Sequence, residues 1–307
     1  MHLLRTALLA GFAALVLARP ALATHSVFAC EPEWAALAQE LGGAQLVVFS
    51  ATTAFQDHHR IEARPSLMAR IRNADLVVCT GAEVEIGWLP ILLTQSGNDR
   101  IQPGTPGYLE AAQYVAKIEI PKVIDRALGD MHPSGNPHIH LDPRNIAKIA
   151  DVLSARLAEL DPANAAIYQE RFASFRNRWQ AALQRWEAQG APLKDVPLVV
   201  YHKDYSYMIR WLGMREVGTL EPRPGIPPTP THLAELIERS KRDRPKAVVY
   251  SPYHNVRPVE FLSERTAVPK VMLPFTVGGT PKAKDLFGLY DDCIERLLVA
   301  VSGRGSD

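Results

Sequence analysis

Short apolar runs alternate with helical stretches along two parts of the chain, and this alternation restricts the possible folds more than any other feature. Residues 44–49 and 75–79 form such runs in the first part, and residues 197–201 and 247–250 in the second. Uninterrupted apolar runs of this length are typical of parallel strands that are buried on both faces. The sequence therefore predicts the α/β class, with two lobes that each contain a mostly parallel sheet flanked by helices.

A helical region without a strand signal separates the two parts. Asp161 is a typical N-cap, a proline follows it, and Gly190 is a typical helix end. Between them an apolar stripe recurs at helical spacing, formed by Ile167, Phe172, Phe175, Trp179, Leu183 and Trp186. A helix of this span is about 40 Å long. We therefore predict a long, rigid connecting helix at 161–190, between an N-terminal lobe at 24–160 and a C-terminal lobe at 191–307.

The first 23 residues have the pattern of a secretory signal peptide. A positively charged start precedes an apolar run at 6–18, which is too short for a typical membrane span. Small residues at Ala21 and Ala23 then form a cleavage signal. We predict that residues 1–23 are removed near Ala23 and that the mature chain is exported to the periplasm. The alternative is an uncleaved membrane anchor.

Charge and cysteine content restrict the possible partners and crosslinks. The net charge is +1, so the chain has no strong field to attract nucleic acid or an anionic membrane. Cys30 and Cys79 each end a short apolar run and could pair across neighbouring strands. Three free buried thiols, including Cys293, are the interpretation that we favour, because an odd number of cysteines is not a disulfide framework. No CxxC spacing indicates a zinc–thiolate site.

Three histidines are candidate metal ligands: two follow predicted strands, and one lies in a loop. His59 lies after the strand at 44–49, His138 lies in a loop rich in glycine and proline, and His202 directly follows the strand at 197–201. Ligands of open α/β sheets bind outside the carboxyl ends of the strands. Three neutral imidazoles are well suited to Zn²⁺, whereas manganese and magnesium prefer more carboxylate oxygen. Spacing alone, however, does not distinguish such a site from structural histidines.

Three local motifs strengthen the metal-site hypothesis. The first is Asp57-His58-His59 followed by Pro65-Ser66, Ala74-Asp75-Leu76 and Gly81; the second is Asn136-Pro137-His138-Ile139-His140-Leu141-Asp142-Pro143; the third is His202 with Tyr205, Tyr207 and Gly213. Together they resemble the zinc- and manganese-specific solute-binding proteins of bacterial ABC importers, over nearly the whole mature chain.

This resemblance implies that His59, His138 and His202 bind one Zn²⁺ ion as transported cargo in the cleft between the lobes. It also implies that the protein is not an enzyme, and that a membrane permease with its ATPase receives the ion. We expect a monomer that does not bind nucleic acid. Because ligand histidines must be neutral, zinc affinity should fall as the pH drops through about 6–7.

The chain departs from the family pattern at the fourth ligand. Residues 271–279 contain no acidic residue where the family often has one, which favours zinc over manganese. The candidates left are water, Asp285 and His58, although Asp285 is also typical of a helix start. His140 stands where the family usually has tryptophan, and we interpret it as a packing group. We expect His132 in a solvated loop, and His232 and His254 as surface or capping groups.

Three alternative functions remain open from the sequence. His138, His140 and Asp142 have the H-x-H-x-D spacing of metallo-β-lactamase-like zinc hydrolases, although Pro143 stands where that motif has a further histidine. A different cargo, either manganese or an organic solute, could bind in a cleft lined by Glu31, Glu33, Trp34 and Tyr253. A periplasmic metallochaperone or an adhesin would have the same metal site as an importer subunit.

Overall fold

Two parallel four-stranded sheets form the framework of the protein. The computed structural model describes residues 24–123 and 132–303. The first sheet has the order β2-β1-β3-β4, with strands β1 (His25–Ala29), β2 (Leu46–Ser50), β3 (Leu76–Cys79) and β4 (Tyr108–Glu110). The second has the order β6-β5-β7-β8, with β5 (Pro197–Val200), β6 (Arg215–Thr219), β7 (Ala247–Tyr250) and β8 (Lys270–Met272). Every neighbouring pair is parallel, which confirms the predicted fold class.

Helices cover the sheets and connect their strands. In the first lobe these are α1 (Pro32–Gly42), α2 (Pro65–Ile71), α3 (Leu89–Ser96) and α4 (Pro143–Leu160). In the second lobe they are α6 (Ser206–Trp211), α7 (Pro230–Asp243), α8 (Val256–Thr266) and α9 (Leu286–Val301). Four of these eight helices begin at a proline, and α3 has a proline as its second residue. The fixed φ of proline suits the first helical turn, where its missing N–H would have no helical partner. None of the described helices is both long enough and apolar enough to cross a membrane.

The predicted long helix is α5 (Ala165–Gly190), which at 26 residues is about 39 Å long. A short 3₁₀ turn at Pro162–Asn164 precedes it. Asp161 does not cap this turn as predicted; its carboxylate instead accepts hydrogen bonds from Tyr168 Oη and Asn164 Nδ2, both at 2.7 Å. The helix therefore begins at Ala165, four residues later than predicted, after the turn at Pro162–Asn164.

The buried face of α5 joins the two lobes through one continuous hydrophobic core. Phe175, Trp179 and Trp186 are buried, and the rings of Trp179 and Trp186 lie 5.5 and 4.9 Å from that of Tyr290 in α9. The same core contains residues of both sheets, such as Val78 and Val249. Ile167, assigned to the apolar stripe from the sequence, is instead exposed. A stiff helix within a shared core restricts the lobes to small relative movements.

A disulfide joins Cys30 and Cys79, contrary to the three free thiols that we favoured from the sequence. Cys30 directly follows β1, Cys79 ends β3, and these two strands are neighbours in the sheet. Their Cα atoms are 4.8 Å apart, within the range that a disulfide spans. Cys293 is a free, buried thiol, as predicted.

Candidate metal centre

The three predicted ligand histidines lie in separate segments of the chain. Local hydrogen bonds fix the backbone at two of them, His59 and His138. His59 lies in the 3₁₀ turn His58–Arg60 that follows β2, and Asp57 caps this turn by accepting from the His59 amide. His138 lies just before α4, where its amide donates to Asn136 Oδ1 at 2.9 Å. His202 follows β5 and is 9% exposed. These segments bring residues from both lobes to one point.

The three imidazole rings surround a common space. Ring centres of His59 and His138 are 5.5 Å apart, those of His138 and His202 are 5.5 Å apart, and those of His59 and His202 are 5.9 Å apart. An imidazole bound to zinc through nitrogen at about 2.0–2.1 Å has its ring centre roughly 3.2 Å from the ion, so tetrahedral ligands have ring centres roughly 5 Å apart. The ring centres are therefore near this spacing, but the ligand-capable atoms within 4.8 Å of one another fall into two groups that share His138: one adds His58 and His59, the other His202 and Asp204. One ion bound by all three rings therefore needs His59 and His202 to move closer together.

Carboxylates orient two of these rings. Asp57 Oδ1 lies 2.9 Å from His59 Nδ1, and Glu221 Oε2 lies 2.7 Å from His202 Nδ1. A carboxylate only accepts hydrogen bonds, so each Nδ1 carries the proton. In the neutral ring the Nε2 lone pair is then free to bind a metal ion. The sequence offered Asp57 as a neighbour of His59, whereas Glu221 was missed because it is 19 residues from His202.

The Asp57–His59 pair leads to a testable prediction. We expect Asp57→Asn to weaken zinc binding by about tenfold. An amide holds the His59 ring less firmly than a carboxylate does, and it makes the metal-binding nitrogen of that ring less basic. Competition with a chelating dye measures the change. Glu62→Gln, which removes an exposed carboxylate from the same loop, is the matched control and should leave the affinity unchanged. Equal affinities of the Asp57→Asn variant and the wild type would contradict this role of Asp57.

Two further histidines lie against the three-ring cluster. His132, which we expected in a solvated loop, is partly buried and has its Nε2 3.1 Å from His59 Nε2. Its Nδ1 donates to the Ala82 carbonyl oxygen at 3.1 Å, so Nε2 is an acceptor in the neutral ring, and its contact with His59 Nε2 requires a proton or a metal ion between the two nitrogens. His58 is 5% exposed, and its ring stacks on Phe275 with the centres 4.9 Å apart. The ligand-capable atoms of His58, His59 and His138 all lie within 4.8 Å of one another.

The structure removes one candidate for the fourth ligand and adds another. Asp285 caps α9, where its Oδ1 accepts from the Gly288 amide at 2.7 Å, and it takes no part in the histidine cluster. Asp204, which the sequence analysis missed, is fully buried, and one of its oxygens lies within 4.8 Å of ligand-capable atoms of His138 and His202. The cluster is therefore richer in carboxylate than residues 271–279 suggested.

The remaining histidines have structural partners. His140 Nε2 donates to the Phe275 carbonyl oxygen at 2.9 Å, and its Nδ1 lies 3.1 Å from Glu33, which agrees with a packing role. His232 Nε2 donates to the Thr219 carbonyl oxygen. His254 is not at the surface as we expected: its ring stacks on Tyr201 with centres 4.0 Å apart, and its side chain is 8% exposed.

The predicted hydrolase stretch does not converge on one ion. His140 is held by Phe275 and Glu33, away from the shared space of the three rings. Asp142 caps α4 by accepting from the Arg144 amide, and it pairs with the Arg144 guanidinium. Of His138, His140 and Asp142, only His138 faces the histidine cluster. Asp142 is present at this spacing because it caps the start of α4.

Burial and neighbouring charges set the protonation of the cluster. Burial, followed by the neighbouring imidazoles, lowers the pKa of His58 and His138 well below the ordinary value. Burial likewise lowers the pKa of His132 to about 3. Burial also disfavours charge on His202, but the hydrogen bond to Glu221 and the nearby Asp204 charge outweigh it and raise the pKa of His202 to about 9. The first three rings are thus neutral near pH 7, while His202 carries a proton.

Cavities connect the cluster to the surface between the lobes. A cavity of about 200 Å³ is lined by His132, His138, His202, Lys203 and Pro224, among others. Arg60 Nη2 bridges the lobes nearby by donating to the Gly225 carbonyl oxygen at 3.2 Å. The histidine cluster is therefore partly covered but has a route to solvent.

The sequence of the chain is similar to those of known metal-uptake proteins. Over 104 residues the chain is 28% identical to the "High-affinity zinc uptake system protein ZnuA" of Brucella abortus, a match that covers 34% of this chain and 31% of that protein's length. It is 21% identical over 260 residues to the "Metal ABC transporter substrate-binding lipoprotein SloC" of Streptococcus mutans, covering 83% of this chain and 80% of that protein.

Solved structures share the fold. A crystal structure of ZnuA superimposes with a TM-score of 0.73 at 21% identity, covering 91% of this chain and 97% of that one. The solute-binding protein FpvC of Pseudomonas aeruginosa in complex with Mn²⁺ has a TM-score of 0.76 at 21% identity, covering 92% and 99%. Residues 27–300, nearly the whole described chain, match the family described as zinc-uptake complex component A, periplasmic. The chain therefore belongs to this ZnuA family.

Proposed function

We propose that this protein captures Zn²⁺ in the periplasm with His59, His138 and His202 and delivers it to an ABC-type importer. The observation that carries the proposal is the mutual spacing of the three imidazole rings, 5.5–5.9 Å between centres, with contributions from both lobes. Nitrogen-rich sites of this kind suit zinc. The boundaries that we assign to the lobes are 24–160 and 191–307, with 161–190 as the connecting helix.

Binding rather than catalysis is the role that the site supports best. A catalytic zinc needs an open position for water with a general base nearby. The stretch that resembled a hydrolase motif has Asp142 engaged at a helix start and His140 held by Phe275. A rigid connecting helix and a partly covered cluster suit reversible capture of an ion, and the protein is then not an enzyme.

Export and partners follow from the family. We propose that residues 1–23, which lie outside the described residues, are a signal peptide cleaved near Ala23. The monomeric mature protein would then meet a membrane permease with its ATPase. The name of the Streptococcus mutans relative, a substrate-binding lipoprotein of a metal ABC transporter, supports this partner. A metallochaperone remains the alternative, and transport assays with and without the neighbouring permease genes separate the two.

Native mass spectrometry before and after treatment with a chelator tests the proposal. We expect one zinc ion per chain in the purified protein and none after chelation, with full recovery when zinc is added back. The His232→Ala variant is the control, since His232 lies outside the cluster and should retain one ion. A protein that carries no divalent metal, or that hydrolyses esters or lactams when loaded with zinc, would contradict the proposed function.

A further inference from the structure

Asp204 is a buried carboxylate whose charge, in the metal-free protein, is opposed by the nearby protonated imidazole of His202. It is 0% exposed, and its oxygens accept hydrogen bonds from Ser251 Oγ at 2.5 Å and Tyr253 Oη at 2.9 Å. Its ion-pair partners in the described chain are the imidazoles of His138 and His254. Burial of a carboxylate is costly unless a nearby cation compensates its charge. Two neutral hydroxyl donors reduce this cost but do not balance the charge.

The contact between Asp204 and His138 has the spacing of two atoms that share an ion. Asp204 Oδ1 and His138 Nε2 are 3.7 Å apart, which is too far for a hydrogen bond. Two ligand atoms at about 2.0–2.1 Å from a tetrahedral zinc ion are roughly 3.4 Å from each other. Ligand-capable atoms of His138, His202 and Asp204 also lie within 4.8 Å of one another. A shift of a few tenths of an ångström would therefore let one ion contact both atoms.

The sheet topology explains how a carboxylate reaches this point. Asp204 follows β5, and its two hydroxyl donors follow β7, the strand paired with β5. The segment between β8 and α9 instead contributes Phe275, whose ring contacts His58, His138 and His140. The carboxylate in the cluster thus comes from a different segment than the one after β8, where the family often has an acidic ligand and this chain has none.

We propose that Asp204 is the oxygen ligand of the bound ion, together with His59, His138 and His202. This inference rests on the proposed function above. Ligand-capable atoms of His138, His202 and Asp204 already lie within 4.8 Å of one another, and His138 is also within this distance of His59, so a small movement of His59 would complete the four-ligand set. Three nitrogens and one carboxylate oxygen bind zinc and also tolerate harder divalent ions such as Mn²⁺. The substrate class of the site is then divalent first-row metals, with zinc bound more tightly than manganese.

The test compares Zn²⁺ and Mn²⁺ binding by the wild type and Asp204→Asn, a variant of nearly the same size without the charge. We expect zinc affinity to fall by about tenfold and manganese affinity by a larger factor, because a harder ion depends more on carboxylate oxygen. The infrared carboxylate bands that change when zinc binds should lose one component in the variant. Tyr253→Phe, which removes one donor but keeps the carboxylate, is the matched control and should change both affinities by less than about threefold.

The outcomes separate this inference from the proposed function. If Asp204 has only a structural role, Asp204→Asn will lower thermal stability, weaken both metals equally and leave the zinc-induced infrared bands unchanged, and the inference is then wrong. If His202→Ala abolishes zinc binding while Asp204→Asn binds both metals like the wild type, the function stands without this ligand. If both variants bind normally, both proposals fail. Should Asp204→Asn not fold, Asp204→Glu and the infrared spectrum of the wild type decide the question.

Discussion

Zinc affinity is expected to fall by about tenfold for each pH unit between pH 8 and pH 6, so that the total loss is about 100-fold. The reason is His202, whose pKa is raised to about 9 by its hydrogen bond to Glu221 and by the charge of Asp204, against the effect of burial. Below that pH, His202 is protonated in the metal-free protein, and zinc must displace this proton to bind. Affinity is thus highest above the His202 pKa, where the ring is neutral, and is lost as the pH falls below it.

Calorimetry in buffers with different ionisation enthalpies measures the displaced protons. We expect about one proton released per zinc ion at pH 7, since burial already keeps His138 neutral there. Glu221→Gln removes the charge that raises the pKa of His202, so it should release fewer protons and flatten the pH dependence. A constant zinc affinity from pH 8 to pH 6 in the wild type would refute this mechanism. The steep range lies higher than the value of 6–7 expected from the sequence, because that expectation assumed unperturbed imidazoles.

Replacement of any one of the three proposed ligand histidines is expected to weaken zinc binding by about 100-fold or more. Loss of a group that only orients a metal ligand typically costs 10–100-fold, and loss of the ligand itself should cost at least as much. Competition titrations against chelators of graded affinity measure His59→Ala, His138→Ala and His202→Ala. His232→Ala is the matched control, because its ring bonds to the Thr219 carbonyl oxygen outside the cluster.

Circular dichroism separates lost ligands from lost folding. All three variants should retain the helical spectrum of the wild type, because the hydrophobic core lies along α5 and the sheets and contains none of these histidines. A variant that is folded and binds zinc like the wild type would exclude its histidine from the site. Wild-type binding by all three would overturn the proposed function.

The strands that the sequence predicted are those with apolar runs on both faces. Three of them, β3, β5 and β7, are interior strands, and their runs were found at residues 75–79, 197–201 and 247–250. The run at 44–49 is the exception, because it forms the edge strand β2, which is only partly buried. β4 and β6 were missed, and both lie at a sheet edge, where one side has no strand partner and polar residues are tolerated. The sequence of β6, Arg215–Thr219, is accordingly polar and includes a glycine.

The missed edge strand also hid part of the candidate metal centre. Glu221 follows β6, and β6 pairs in parallel with β5, which precedes His202. The ends of the two strands are therefore neighbours, and the carboxylate meets the imidazole. Without β6 there was no reason to connect residues that are 19 positions apart. The Cys30–Cys79 disulfide has the same origin, since these residues end the paired strands β1 and β3.

The sequence by itself determined the α/β class, the long helix and the three histidines, because each depends on a local pattern: apolar runs, helical periodicity, and motifs around single residues. The tertiary structure alone decided what surrounds those histidines: the carboxylates of Glu221 and Asp204, the ring of His132, and the packing of Phe275. Parallel strands end at a common edge, and the strand order selects which distant loops meet there. Pairing between strands is a long-range property, which no short stretch of sequence encodes.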